Sequence, residues 1–305
     1  MNASEAKDDV WTIERVVKWA TDDFRSRGIE SPRLDAEVLL AHALATTRIQ
    51  LIIDGKRPLA KEELARFRDA VKRRRAHEPV AYVLGEREFY GHRFRVDARA
   101  LIPRPDTEIL VQVALARTAH LSMAMRALDL CTGTGCVAIS LALERPTSSF
   151  VAVDLSPDAA ALARENAARL GAPGVAVLVG DLFAPLASLT DPWARADGDD
   201  SPMRFDLVTA NPPYVLRGDI PGLSADIREF EPRLALDGGD DGLDVVRRIV
   251  ADAPRFMAPG AVLAMEIGAG EADATRELFA LHGFTDIEVA RDYARIERVV
   301  SGRRE

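Results

Sequence analysis

Four consecutive residues, Asn211, Pro212, Pro213 and Tyr214, bring together groups able to hold a planar, NH2-bearing substrate. They follow the apolar run 205–210, whose length and composition predict a buried strand. Neither proline can donate to a sheet ladder and each fixes φ, so the strand must stop there and leave its last carbonyls free. Asn211 adds a side-chain acceptor and donor, and Tyr214 a flat face. A carboxamide, or the exocyclic amine of a base, suits such a set of acceptors beside an aromatic plane. An amide nitrogen is a weak nucleophile because its lone pair is delocalised into the carbonyl. Accepting both of its N–H bonds, on the Asn211 oxygen and the Pro212 carbonyl, would draw charge onto nitrogen and fix its orientation, with Tyr214 packed on the amide plane.

A second constellation lies upstream. Residues 127–140 read as a strand, a glycine turn and the start of a helix, with Asp129, Cys131, Thr132, Gly133, Thr134 and Gly135 in the turn region. The two glycines permit positive φ and let backbone approach a ligand, and the helix behind them offers free N–H groups. Asp154 ends the next strand, at the spacing expected of a carboxylate that binds a ribose diol. Asp181, followed by Leu182, ends the third. By itself Gly133-x-Gly135-x-x-Ala138 also matches a dinucleotide fingerprint, so an oxidoreductase is one alternative.

These residues need strands to carry them. Strands are expected at 126–130, 149–153, 175–179, 205–210, 261–267, 284–289 and 296–301, and helices at 107–119, 136–144, 157–170, 242–256 and 271–281. Strands alternating with helices predict an α/β fold with a mostly parallel sheet covered on both faces, and an antiparallel pair at one edge. Before this region, 10–76 shows helical spacing, with Ser31 and Pro32 placed to start the second helix. Residues 86–97 read as a hairpin turning at Gly91 and His92. The expected division is a helical domain over 1–84, a hairpin linker over 85–100 and a catalytic domain over 101–305. Residues 187–203, rich in Asp, Gly, Pro and Ala, read as a surface loop.

The chain has 305 residues, a net charge of −8, 48% apolar and 29% charged residues, ordinary for a globular protein. The first 85 residues are slightly basic and the remainder distinctly acidic, which argues against sequence-independent DNA binding. No run approaches a membrane span and the N-terminus lacks a signal-peptide core. The two cysteines, Cys131 and Cys136, flank the glycine loop and read as reduced thiols of a cytoplasmic protein. Neither they nor the five scattered histidines have metal-ligand spacing, so no metal is expected.

A glycine loop, acids after strands two and three, and Asn-Pro-Pro-Tyr after strand four resemble the class I methyltransferases, which are Rossmann-like with a seven-stranded sheet and use S-adenosyl-L-methionine. Three further stretches narrow the likeness: 101–108 (Leu-Ile-Pro-Arg-Pro-Asp-Thr-Glu), 231–243, and Glu266-Ile267-Gly268. With Arg73–Gly85 they resemble the HemK/PrmC family of protein-(glutamine-N5) methyltransferases, which modify peptide-chain release factors. The resemblance covers essentially the whole chain. It implies S-adenosyl-L-methionine held by the 129–135 loop, Asp154, Asp181, Leu182 and Asn211. It implies a glutamine held by the tetrapeptide with Arg104 and Glu108 nearby, the helical domain as recognition element, and class I release factors as partners.

The chain departs from that pattern at Cys131, where the family usually has Gly, at Leu182, where it often has Trp, and at Glu271, where it often has Gln. The Cys-Thr-Gly-x-Gly-Cys form resembles a related group acting on a ribosomal-protein glutamine, whereas the Pro-Arg-Pro-Asp-Thr-Glu stretch favours the release-factor branch. An N6-adenine nucleic-acid methyltransferase and a non-enzymatic binding module are the remaining alternatives. The basic run Arg73–Arg75 reads as a solvated helix end or a contact for an acidic or RNA-associated partner.

Overall fold

The computed structural model describes residues 10–121, 124–187 and 203–305. Most of the expected 187–203 loop therefore lies outside the described residues. The chain divides into two compact units, one of Met1–Gly85 with Ala225–Phe230, the other of Glu86–Ser224 with Glu231–Glu305.

The first unit is helical, with α1 (Ile13–Ser26), α2 (Pro32–Ala43), α3 (Arg48–Ile53), α4 (Lys61–Arg75) and α5 (Val80–Leu84). Thr12 and Thr47 are extended and accept the N–H of Arg15 and Gln50, capping α1 and α3. Ser31 does not cap α2: its ψ of 59° departs from the extended cap geometry, and only Pro32 at the first turn marks the start. Phe24, Leu39 and Leu40 are fully buried, each contributing about 1.5–3 kcal/mol of transfer free energy. The basic run at the end of α4 is drawn into ion pairs, with Arg74 buried and Arg73 and Arg75 partly exposed. Arg73 binds Glu78 and two carbonyls, buried Arg74 pairs with Asp35, and Arg75 pairs with Asp23 while lying over Trp19.

The second unit opens with a hairpin, β1 (Glu86–Phe89) and β2 (His92–Arg95). It turns at Tyr90 and Gly91, one residue earlier than expected. Both take positive φ (50° and 76°), the condition of the tightest hairpin turn. The sheet contains β3 (Arg126–Leu130), β4 (Ser149–Asp154), β5 (Val175–Val179), β6 (Phe205–Ala210), β7 (Met257–Glu266), β8 (Phe284–Arg291) and β9 (Glu297–Arg304). Among the described residues it has seven strands in the order β5-β4-β3-β6-β7-β9-β8. Pairing is parallel throughout except that β9 runs antiparallel to β7 and β8. The helices are α6 (Glu108–Arg117), α7 (Cys136–Glu144), α8 (Pro157–Leu170), α9 (Ala225–Phe230, counted with the first unit), α10 (Asp244–Phe256) and α11 (Ala272–Leu281).

Period-two alternation gives the sheet two buried faces. Val208, Ala210, Leu263 and Met265 join the layer of α10 and α11, while Leu207, Val262 and Ala264 join that of α6, α7 and the hairpin phenylalanines Phe89 and Phe94. The chain steps outward from β3 to β4 to β5 and then returns to β6 on the other side of β3. At such a reversal the connections part, and the crevice at the carboxyl ends of the strands binds ligands in open α/β sheets. Both constellations found in the sequence, the glycine loop after β3 and the tetrapeptide after β6, meet this crevice.

Candidate active site

The glycine loop leaves β3 and enters α7 with Cys131, Gly133 and Gly135 at positive φ (56°, 56° and 81°). Gly135 is tightly placed: besides its positive φ, a Cβ would lie 2.8 Å from the Ile139 Cδ1 and 3.2 Å from the Ala163 Cβ. The Thr132 N–H donates to the Val153 carbonyl at 3.1 Å. Asn166 of α8, fully buried, donates to the Thr134 carbonyl at 2.9 Å and binds both backbone groups of Arg95 at 2.8 and 3.0 Å. One side-chain amide thus ties the hairpin to the loop.

Asp129 is buried beneath the loop. It accepts the Thr132 hydroxyl at 2.6 Å and the Thr209 hydroxyl at 2.8 Å, Thr209 being its register partner on β6. Burial pushes its carboxyl up to about 6, against the two hydroxyls. Asp154 accepts the Gly133 N–H at 2.8 Å on one oxygen and the Ser156 N–H at 2.9 Å on the other. Burial raises this carboxyl too, and the N–H groups oppose it. One donor per oxygen leaves acceptor capacity on both. Asp181 pairs with Arg248 of α10 at 2.7 Å, and Leu182 beside it takes a φ of 48°.

These residues surround a cavity of about 290 Å³ whose apolar wall includes Cys131, Val137, Val153, Leu155 and Leu182. Its three arginines are committed: Arg99 to Asp97 and Glu165, Arg104 to Glu231 at 2.5 Å, and Arg248 to Asp181. The hydrogen-bond partners of Asp129 and Asp154 are neutral hydroxyls and backbone N–H groups. The negative charge of the cavity that no arginine of its wall pairs with sits at these two acids.

Asn211 and Pro213 line the same cavity; Pro212 and Tyr214 are not part of its wall. The Asn211 Nδ2 donates to the Thr107 hydroxyl at 3.2 Å, which leaves Oδ1 as the acceptor. The Tyr214 hydroxyl donates to Glu266 at 3.3 Å, and burial, reinforced by the Glu266 charge, pushes the phenol above its ordinary range. The Gly-rich stretch after Leu236 is more than a turn. Val215 donates to the Leu236 carbonyl and Gly238 to the Val215 carbonyl, both at 2.9 Å. A Cβ on Gly238 would lie 2.7 Å from the Tyr214 Cα, so the two backbones are in direct contact.

Comparison with known proteins places this geometry. Residues 15–85 match the PrmC N-terminal domain and residues 121–266 a methyltransferase domain. A release factor glutamine methyltransferase of Geobacter sulfurreducens is 43% identical over 297 residues, 97% of this chain and 98% of that one. The protein of the same name from Vibrio cholerae is 41% identical over 291 residues, 95% and 96% of the two chains. The chain belongs to the release factor glutamine methyltransferase family. Its fold is also that of the hMettl16 catalytic domain, solved in complex with MAT2A 3'UTR hairpin 6, with a TM-score of 0.53 at 16% identity over 77% of this chain and 81% of that one.

Against the release factor glutamine methyltransferase pattern, the three departures find physical places. Cys131 takes the left-handed backbone that favours glycine, with its thiol unpaired and pushed up by burial. Leu182 joins the apolar wall. Glu271 accepts the Gly268 N–H at 2.8 Å and lies where a Gly242 Cβ would go, so it buttresses the Gly-rich stretch. Two expected substrate contacts are used otherwise. Glu108 accepts the Tyr90 N–H at 2.9 Å and holds the hairpin turn, outside the cavity wall. Arg104 lines the cavity but is drawn to buried Glu231. Sequence reading overlooked Thr107, Thr209 and Asn166. Thr107 lay inside a stretch already singled out; Thr209 and Asn166 act through register and long-range contact, which no local spacing reveals.

Proposed function

We propose that this protein transfers a methyl group from S-adenosyl-L-methionine to the side-chain amide nitrogen, N5, of a glutamine in class I peptide-chain release factors. The observation that carries this reading is Asn211, fixed by Thr107 on the wall of an acid-bearing cavity with its oxygen left as acceptor. The donor set fits the cofactor. Asp154 has acceptor capacity for a ribose diol, Leu155 and Leu182 offer apolar surface to a base, and Asp129 favours a cation. Bound S-adenosyl-L-methionine supplies an electrophilic sulfonium methyl.

The chain's own residues orient the acceptor. The Asn211 Oδ1 and the Pro212 carbonyl accept the two N–H bonds of the glutamine amide. Each bond contributes about 0.5–1.5 kcal/mol net, so most of the acceleration comes from positioning and preorganised electrostatics. As the nitrogen gains its new N–C bond the bond from that methyl to sulfur would break, leaving a neutral thioether; the nitrogen, then acidic, would lose its proton to water, so no strong base is required. The first unit serves as the recognition element. The acidic charge of the chain after residue 85 favours a protein over DNA, and a release factor would be met in the cytoplasm. No helix among the described residues is long and apolar enough to cross a membrane.

Incubation with labelled S-adenosyl-L-methionine and, separately, a release factor, a ribosomal protein and DNA tests the reading. Label should enter a glutamine of the release factor; preferential labelling of either other substrate overturns it. Asn211→Ala should lower turnover on the order of 100-fold or more with cofactor affinity nearly unchanged by calorimetry. Near-normal turnover would remove Asn211 from the acceptor role.

A further inference from the structure

We propose that Glu231 is a positioning residue for methyl transfer, its carboxylate being the clasp of a closed ring of hydrogen bonds that holds the tetrapeptide from both ends. This rests on the methyl-transfer reading above and concerns a residue that is not part of the cavity wall. Glu231 is 6% exposed. One of its oxygens accepts the Ile102 N–H at 3.2 Å, and the other accepts the Arg104 guanidinium at 2.5 Å. Both oxygens are thus turned to one short segment more than a hundred residues upstream.

The ring runs through printed neighbours on either side. The Arg104 carbonyl accepts the Thr107 N–H at 3.1 Å, across the 3₁₀ turn Pro105–Thr107. The Thr107 hydroxyl then accepts Asn211 Nδ2 at 3.2 Å, at the first residue of the tetrapeptide. Past the last residue, Val215 donates to the Leu236 carbonyl and accepts the Gly238 N–H, both at 2.9 Å. Leu236 donates to the Arg233 carbonyl at 3.0 Å, across the 3₁₀ turn Arg233–Ala235, and the chain returns through Pro232 to Glu231. Pro103 and Thr107 line the cavity from one arm of the ring, Leu234 and Ala235 from the other.

Proline content gives this clasp its leverage. Pro103 and Pro105 flank Arg104, Pro232 follows Glu231, and Pro212 and Pro213 fill the middle of the tetrapeptide. None has an N–H to donate, and each fixes φ. Such segments can be fastened at few points, and their stiffness lets one fastening place several residues. On the upstream arm the Ile102 N–H and the Arg104 side chain supply that fastening, and one carboxylate receives both. With the clasp open, the 102–107 segment would be free to shift and to draw Thr107 away from Asn211. The Asn211 oxygen would then lose its aim at the acceptor amide, and a misplacement of about 1 Å is enough to cost on the order of 100-fold in rate.

The test is a double-mutant cycle on kcat for methylation of an intact release factor by the full chain. Glu231→Gln keeps an acceptor for the Ile102 N–H and removes the charge that holds Arg104. It should lower kcat on the order of tenfold to 100-fold, with a much smaller change in cofactor affinity. Thr107→Val opens the ring at another link and should lose a similar factor. The two losses should not multiply, because a ring opened once is already open, and the double variant should fall little below either single one. A folded Glu231→Gln with undiminished kcat overturns the proposal, and so do losses that multiply in full. Where Glu231→Gln fails to fold, Arg104→Gln takes its place in the cycle, with the same expected and overturning results. Absence of glutamine methylation by the unaltered protein would count against the methyl-transfer reading instead. Hydrogen exchange at the Thr107 and Val215 amides then decides on the clasp: faster exchange in Glu231→Gln or Arg104→Gln supports it, and unchanged exchange overturns it.

Discussion

Asp129 shows how one side chain can link folding, charge and ligand binding. Its unfolded carboxyl titrates near 4, whereas burial lifts it to about 6 in the folded protein. Between these values the folded state holds the extra proton, so stability is favoured at the acid side and declines as pH rises through the window. A cationic ligand acts in the opposite sense, because it favours the ionised carboxylate. Affinity for S-adenosyl-L-methionine should therefore increase as pH rises through about 6. Asp129→Asn should weaken binding and remove that dependence; calorimetry across the range would reveal it, and an unchanged slope would exclude Asp129 as the source. Asp154 is raised by burial in the same direction, but its donors are backbone N–H groups, one on each oxygen, rather than hydroxyls.

At the scale of elements, the site is held by contacts between segments far apart in sequence. Asn166 fastens the hairpin to the glycine loop, and the Gly238 backbone presses against Tyr214. Gly238→Ala would bring a methyl against the Tyr214 Cα and the Gly242 carbonyl, at 2.7 and 2.8 Å, and neither is a side chain that can turn away. It should destabilise the protein by about 1–3 kcal/mol in denaturant titration and lower kcat by moving the tetrapeptide. A stable, fully active variant would show that the brace is dispensable. The long strands and helices were legible because their apolar periodicity extends over whole elements. The six-residue helices α3 and α9 and the five-residue α5 were not, being too short to display a period. The hairpin turn was misplaced by one residue because Tyr90 takes a positive φ that residues with a side chain rarely adopt, and the Glu108 carboxylate on its N–H is a tertiary contact.

For the whole molecule, the division of labour between the two units has a direct test. If the first unit recognises the substrate protein, an intact release factor should be methylated with a far higher kcat/KM than a short peptide bearing the same glutamine. The difference should lie mainly in KM; equal values would leave recognition to the methyltransferase unit alone. Deleting 1–84 is a less clean experiment than the sequence suggests, because Ala225–Phe230 is also part of the first unit. A truncated chain would strand that segment.

By itself the sequence determined the α/β architecture, the two ligand-binding constellations and the family resemblance. These depend on local periodicity, on glycine and proline backbone limits, and on short motifs whose residues are neighbours in the chain. Only the tertiary structure decided how the motifs are used. It gave Glu108 to a hairpin turn and Arg104 to Glu231, and it set Thr209 against Asp129 by strand register. It also changed what the opening tetrapeptide can be said to do. Asn211 has two faces with opposite hydrogen-bonding character, and a sequence cannot say which one is outward. Thr107, more than a hundred residues away, takes the nitrogen and leaves the oxygen.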